Sequence, residues 1–198
     1  MLGKRKNAMA TAVTAGMLIA CTAVKADTVH NQSVVDTNAF GWDSVGGARD
    51  TQQIADDFKP TIDGSIGILH WTGKYHDSET SSAKKFEIRI FSDVAGKPDK
   101  LIFSQELVTA GKDTGGKDSG DDKLLSYTAP LAGTPILQSD STYWLSIREI
   151  DSSTLSVWSW SFHKDDVVGG YSYRRSETHS WSVGTIDMAY SMSLDPLN

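Results

Sequence analysis

Cysteine is almost absent from this chain, which has one, Cys21, in 198 residues. A lone cysteine excludes an intramolecular disulfide, so export to an oxidising compartment would have to be survived on core burial alone. The five histidines show no H-x-x-x-H or similar spacing, which argues against a zinc site. No apolar run reaches the ~20 residues that a transmembrane helix needs, so none is predicted.

The first 26 residues have the make-up of a secretory signal peptide. Residues 4–6 form a basic start, an apolar run follows over residues 8–19, and Val24-Lys25-Ala26 fits the small-x-small pattern of a cleavage site. A second interpretation is open, because residues 18–21 (Leu-Ile-Ala-Cys) resemble a bacterial lipobox, and two acyl chains on Cys21 would anchor the protein stably. The sequence therefore predicts export, with the protein extracellular or periplasmic, or alternatively held as an outer-membrane lipoprotein through Cys21.

Basic residues are scarce in the remainder of the chain. Removing residues 1–26 takes away four of the 19 basic residues and none of the 25 acidic ones, so residues 27–198 carry 15 basic residues and a net charge of −10. A domain this acidic repels polyanions, which argues against nucleic acid and anionic membranes as partners. Residues 27–198 are enough for one domain with a sizeable core. They give no signal for an oligomeric state.

Residues 27–198 alternate apolar and polar side chains over short runs and show no sustained helical period. About nine or ten such runs, separated by turn residues, predict an all-β fold, a single antiparallel two-sheet sandwich that is jelly-roll-like in size. Six residues on the apolar sides of these runs are predicted to point inward: Phe86, Ile88, Ile90, Leu145, Ile147 and Met188.

Two pairs of runs are predicted to form hairpins. Residues 85–92 and 101–107 flank a turn that contains glycine and proline, the residues that tight turns favour. Residues 139–162 hold two alternating runs on either side of a turn at residues 151–153, and they are predicted to form the central hairpin of the sandwich.

Acidic residues offer candidate ion ligands in the polar stretch 110–123. Four aspartates stand there among glycines: Asp113, Asp118, Asp121 and Asp122. Their oxygens could wrap Ca²⁺, although the spacing fits neither an EF-hand nor a calcium nonapeptide repeat. Lysines interrupt the stretch, which favours an exposed, mobile loop that needs no cofactor.

Other acidic residues are open to structural or ligand roles. Asp56 and Asp57 suit either an ion or the cap of a turn. Glu87 and Glu149 are predicted to face outward.

Tryptophan is plentiful, with six in the chain. A flat π surface with an N–H donor suits a sugar ring, so Trp158, Trp160 and Trp181 are the candidate ligand-binding residues. The competing interpretation places Trp158 and Trp160 in the core, since they share one side of an alternating run with Phe162. Trp181, between two serines, is the better candidate for an exposed ring.

Several strand and turn motifs occur in an order that resembles a known family. They are QIADDF at residues 53–58, WTGKY at 71–75, FEIRIFSD at 86–93, YWLSI at 143–147 and WSW at 158–160. They look like a family of bacterial exported β-sandwich domains often found in proteins with a carboxy-terminal PEP-CTERM sorting signal. The resemblance implies the fold and export, and it brings no catalytic residue. This sequence has no Pro-Glu-Pro motif, hydrophobic tail or basic end, so sorting-type anchoring is not expected.

The sequence thus predicts a non-enzymatic exported protein of structural or adhesion type, with surface or extracellular glycans or proteins as partners. The alternative is a carbohydrate-binding module that stacks sugars on exposed tryptophans. A third hypothesis is a hydrolase of unknown type, because the ~5–10 Å separation of carboxylates that glycoside hydrolysis needs is a property of the tertiary structure.

Overall fold

The structure is a computed structural model that describes residues 27–33, 35–38, 41–46, 52–76, 82–150, 157–164 and 170–197. The predicted signal peptide, Cys21 and the predicted turn at residues 151–153 lie outside the described residues. Within these ranges no helix is long and apolar enough to cross a membrane.

Thirteen strands follow one another along the described chain. They are β1 (Asp27–Gln32), β2 (Trp42–Asp43), β3 (Gln53–Phe58), β4 (Gly64–Tyr75), β5 (Ala83–Asp93), β6 (Pro98–Ala110), β7 (Lys112–Lys117), β8 (Lys123–Pro130), β9 (Tyr143–Glu149), β10 (Trp158–Trp160), β11 (Tyr171–Arg174), β12 (Ser182–Val183) and β13 (Tyr190–Pro196). They form two antiparallel sheets, and the predicted all-β sandwich is confirmed.

The first sheet is organised around β4. One edge of β4 pairs with β8 over residues 68–73, and β7 extends the sheet beyond β8. The other edge pairs first with β13 and then with β10. Beyond them lie β1 and β2, so this sheet has seven strands.

The second sheet has six strands in the order β12-β11-β3-β9-β5-β6. Its longest pairing is the β5–β6 hairpin, in which Phe86 lies opposite Leu107 and Ile90 opposite Phe103. This hairpin confirms the prediction for residues 85–92 and 101–107. β9 and β5 are interior strands of this sheet. Their side chains alternate between a face that contacts the core and a face that points toward solvent.

The core lies between the two sheets and is rich in aromatic rings. All six residues that were predicted to point inward are fully buried: Phe86, Ile88, Ile90, Leu145, Ile147 and Met188. Trp158 and Trp160 reach them from β10 in the first sheet and are fully buried as well. The Phe86 ring meets the Trp158 ring edge-on, with centroids 5.1 Å apart, an arrangement that aromatic pairs favour.

A bulge in β4 decides which of its apolar side chains enter the core. The register with β13 shifts between Ile66 and Ile68, so Gly67 is an extra residue on the β4 side. Ile66 and Leu69 are consequently both buried, while Ile68 is 41% exposed. A bulge changes the phase of the alternation, which is why the pattern of this strand does not follow a simple period of two.

The predicted central hairpin over residues 139–162 is wrong. β9 pairs with β3 and β5 in the second sheet, whereas β10 pairs with β4 and β2 in the first. Each run has one apolar face, and that face can be buried in the same core whether the strand belongs to the first sheet or to the second. Alternation therefore predicts which side chains are inside, but it does not predict the partner strand.

The prediction that Glu149 faces outward is also wrong, because its side chain is fully buried. Side chains alternate along β9, so Glu149 shares the inner face with Leu145 and Ile147. The Lys84 amine lies 3.9 Å from one of its carboxylate oxygens. Glu87 does lie on the outer face, where it is held in ion pairs.

Residues 110–123 are not the mobile loop that their composition predicts. Residues 112–117 form β7, which pairs with β8, and Asp118 is buried. The cause is Lys74 of β4, a fully buried amine that pairs with Asp118 and lies 3.0 Å from Asp122. A buried charge is costly unless it is paired. Residues 110–123 therefore pack against the sheet, where Asp118 and Asp122 supply the two carboxylates.

Truncating Trp160 is expected to destabilise the fold by ~3–5 kcal/mol, through lost burial and the cavity left behind. The Trp160→Ala change also removes the indole N–H that donates to the Ala189 carbonyl at 3.1 Å. Urea unfolding measures the loss. The matched control is Val108→Ala on β6, where a 68% exposed side chain should change stability by less than ~0.5 kcal/mol. Equal effects in the two variants would contradict the burial of Trp160.

Replacing Asp118 by asparagine should cost about 3 kcal/mol, because it leaves the buried Lys74 amine with too little negative charge. Asparagine keeps an oxygen for the N–H groups of Gly120 and Asp122, which donate to Asp118 at 2.9 and 3.1 Å. Asp121→Asn is the control, since that side chain is 83% exposed and should cost less than ~0.5 kcal/mol. Thermal or urea unfolding of the two variants should separate them clearly, and a neutral Asp118→Asn would refute the buried pair.

Candidate functional site

A groove of about 710 Å³ opens on the outer face of the second sheet. Its charged lining side chains are Lys85, Glu87, Arg89, Glu106, Arg148 and Glu177. We refer to it as the charged groove. Its floor is formed by β5 and β9, two interior strands whose other face is the core, so the floor is rigid.

The alternation along β5 places the charges there. Phe86 and Ile88 point into the core, and Glu87 and Arg89 between and beyond them therefore point outward. Antiparallel pairing sets Glu87 directly opposite Arg148 on β9. Opposite charges on facing positions of neighbouring strands attract each other, so the sheet register itself builds the floor.

Four of these side chains form a closed ring of ion pairs, which we call the Arg–Glu ring. Glu87 accepts from the Arg89 Nε at 2.8 Å and from the Arg148 Nε at 2.6 Å. Glu177 accepts from Arg89 Nη1 at 2.8 Å and from Arg148 Nη2 at 2.9 Å. The arginines and Glu87 have side chains only 10–12% exposed, whereas Glu177 is 53% exposed. The ring thus has a buried carboxylate beneath the arginines and an exposed one above them.

The ring keeps both glutamates ionised. Burial pushes the pKa of Glu87 upward, but the hydrogen bonds and charges of Arg89 and Arg148 outweigh it and hold that pKa below the ordinary value. The hydrogen bond from Arg89 lowers the pKa of Glu177, against a smaller opposing effect of burial. A general acid for glycoside hydrolysis needs a raised pKa, so neither glutamate is suited to that role.

Arg174 joins the groove to Trp181. Its Nη1 donates to the Glu177 backbone carbonyl at 3.1 Å, and its Nε and Nη2 donate to the Gln53 amide oxygen at 2.9 and 2.7 Å. The guanidinium lies 4.6 Å from the centroid of the Trp181 ring. The ring is half-buried and also meets Phe91 edge-on at 5.7 Å, so Trp181 is held on the outer face beside the groove.

The three tryptophans that were candidates for sugar binding do not form one surface. Trp158 and Trp160 are fully buried between the sheets, which makes them unavailable to a sugar and matches the core interpretation. Trp181 alone is partly accessible. Sequence reasoning missed Trp42, which is 37% exposed and stacks on Tyr173 with centroids 5.9 Å apart and planes at 12°.

The four aspartates of residues 110–123 are engaged separately. Asp118 and Asp122 hold Lys74, Asp121 pairs with Lys117 at 2.7 Å, and the Gly115 N–H donates to Asp113 at 2.7 Å. In the part of the chain that the structure describes, they do not come together as a group that could hold a metal ion.

The acidic group that does converge is Asp56, Asp57 and Asp187, which offer oxygens within 4.8 Å of one another. Both Asp56 and Asp57 belong to β3, so neither caps a turn. Burial raises the pKa of Asp56 well above its ordinary value; the hydrogen bond from the Met188 N–H opposes this, and the charges of the other two aspartates reinforce it. A higher pKa favours the protonated form of Asp56, and a proton there would relieve the repulsion within the cluster without a cation.

Comparison with known proteins gives a family and no individual relative. A family model described as a domain of unknown function (DUF7901) matches residues 29–193. The matched range includes the charged groove, the aspartate cluster and almost all of both sheets. No curated protein and no solved structure matches the chain.

The lowered pKa values predict how the Arg–Glu ring responds to acid. A carboxylate with a folded-state pKa below its unfolded value stabilises the fold fully above the unfolded pKa, about 4.3 for Glu, and loses that effect as the pH falls through the folded pKa. Glu87→Gln should therefore be destabilising at pH 7, and the deficit should shrink toward pH 3. Urea unfolding at both pH values measures it. Glu106→Gln, in a half-exposed pair with Lys85, should show little deficit at either pH; a Glu87→Gln deficit independent of pH would contradict the ring.

Proposed function

We propose that this chain, which belongs to the DUF7901 family of domains of unknown function, is a non-enzymatic exported protein of adhesion type that binds its partner in the charged groove. One observation carries the proposal. The groove is an open concavity lined by charged side chains, four of which the Arg–Glu ring holds in place. A preorganised surface loses little conformational entropy on binding.

The groove is better suited to binding than to catalysis. Its two buried arginines keep Glu87 and Glu177 ionised, so a proton donor is missing from the carboxylates of the ring. Asp56, whose pKa is raised, is enclosed in the core and has no exposed surface. These features support a non-enzymatic role.

Export is part of the proposal and is supported by the sequence. Residues 1–26 have the pattern of a signal peptide, and residues 27–198 contain no cysteine that oxidation could modify. The motif order that resembles exported PEP-CTERM-associated domains points the same way. The partner is then an extracellular or surface glycan or protein, and a groove lined by charges favours a polar one.

Carbohydrate binding outside the groove is a second candidate, favoured by the Trp42–Tyr173 stack. Its partly exposed indole is the kind of flat surface on which a sugar ring packs. Trp42→Ala would distinguish the two surfaces, since it should leave binding in the groove unchanged.

Filling the groove should abolish binding without harming the fold. Thr178 lines the groove and is exposed, so Thr178→Trp should weaken retention on a glycan array or on immobilised bacterial cells at least tenfold, while urea unfolding changes by less than ~0.5 kcal/mol. Ile136→Trp is the control, because Ile136 is 53% exposed and precedes Leu137, which bridges to Gly64 of the first sheet.

The wild-type protein should be recovered from the periplasm or medium of a bacterium that expresses the full chain. Recovery from the cytoplasm alone would contradict export. Wild-type binding that Thr178→Trp and Ile136→Trp leave equally intact would overturn the groove as the binding surface.

A further inference from the structure

The two carboxylates of the Arg–Glu ring are held in different ways. Glu87 belongs to an interior strand, and its side chain is 10% exposed beneath the arginines. Glu177 comes from the turn after β11, and its side chain is 53% exposed above them. Arg89 and Arg148 are anchored from below by Glu87, so they keep their positions whether or not Glu177 is present. Glu177 is the one member of the ring that can leave without disturbing the core.

The charge that Glu177 covers is positive. Without its carboxylate, Arg89 and Arg148 face the single negative charge of Glu87. Arg174 adds a further positive charge nearby, and the Lys85–Glu106 pair adds no net charge. This is an unusual place in a domain whose residues 27–198 carry a net charge of −10. The acidic side chains elsewhere on the protein repel an anion, but that repulsion is screened beyond ~8 Å at physiological salt. Direct contact with the arginines can therefore bind an anion in a protein of negative net charge.

The shape of the site selects a carboxylate. Glu177 itself shows the bound geometry, because its oxygen Oε1 accepts from Arg89 Nη1 at 2.8 Å and from Arg148 Nη2 at 2.9 Å. Each arginine thus directs one N–H of its planar guanidinium to the same carboxylate oxygen, and charge-assisted hydrogen bonds from arginine recognise carboxylates in fixed geometry. Beside these N–H groups, the hydroxyls of Ser176 and Thr178 lie 2.9 Å from each other, and each has remaining capacity to hydrogen-bond to the hydroxyls of a sugar. Among the described residues of the lining, Ile150 is the only large apolar side chain, so they offer little to the apolar side chains of a peptide.

We propose that Arg89 and Arg148 form a carboxylate-binding site that Glu177 occupies in the free protein, and that a glycan carrying a uronic acid binds by displacing Glu177. The inference rests on the proposed function, because it takes the charged groove as the binding surface. Glu177 then acts as a competing ligand within the chain. A tethered competitor reduces the apparent affinity by the fraction of molecules in which the site is open.

The experiment titrates the full chain with digalacturonic acid and, separately, with its dimethyl ester, by calorimetry or NMR. The ester keeps every hydroxyl but has no charge. Wild type should bind the acid at least tenfold more tightly than the ester. Glu177→Ala should tighten binding of the acid about tenfold, since the competitor is gone. Asp121→Asn is the control: it removes a negative charge from an exposed ion pair with Lys117 outside the groove, and it should leave the affinity unchanged.

Arg148→Lys tests this geometry, because it keeps the charge and loses the planar guanidinium whose Nε binds Glu87 while its Nη2 binds the carboxylate of Glu177; binding of the acid should weaken at least tenfold. Glu177 is exposed, so its variant gives an answer even if Arg148→Lys fails to fold. Equal binding of acid and ester, or no gain in Glu177→Ala, would overturn the proposal. Equal gains for a tetraglutamate peptide would overturn the assignment to a sugar. After either negative result, loss of partner binding in Thr178→Trp would still support the charged groove as the binding surface. The proposed function and the uronic acid proposal can therefore be contradicted independently.

Discussion

Successive side chains along β5 and β9 point to opposite faces of one sheet. Both the core and the charged groove depend on that constraint. The inward positions supply Phe86, Ile88 and Ile147 to a core that has no disulfide to support it. The outward positions on the same strands supply Glu87 and Arg148 to the charged groove. The burial of apolar side chains in the core fixes the positions of β5 and β9. Those strand positions, more than the ion pairs themselves, set the geometry of the groove.

Ion pairs in this fold join segments that the apolar core leaves unattached. Lys74 is buried on β4 and draws Asp118 down, which orders the stretch that contains β7. Glu177 does the same for the turn after β11 through two arginines. Buried pairs contribute little net stability when compared with apolar side chains of similar size. Their effect here is to specify where polar segments lie, which the non-directional hydrophobic effect does not do.

The aspartate cluster illustrates another way to bury charge. Asp56 and Asp187 lie in the core with almost no exposed surface, and the pKa of Asp56 is raised chiefly by burial. A proton costs less than an unpaired anion in that surrounding. The tyrosine next to the cluster, Tyr190, donates its hydroxyl to the Asp57 carbonyl at 3.2 Å. The interior thus combines a carboxyl of raised pKa and hydrogen bonding on the β3 side with ion pairing on the β4 side.

The alternation of apolar and polar residues, with turn residues between the runs, by itself determined the all-β two-sheet class, the six inward residues and the β5–β6 hairpin, because a period of two follows from local strand geometry. It did not place β9 and β10 in different sheets, since an apolar face is satisfied by either sheet. It also did not reveal that Asp118 pairs with Lys74 or that Glu177 covers two arginines. Those pairs join positions 29 or more residues apart, and only the tertiary structure decides such contacts, because the energy of an ion pair depends on the burial and the distance that the fold sets.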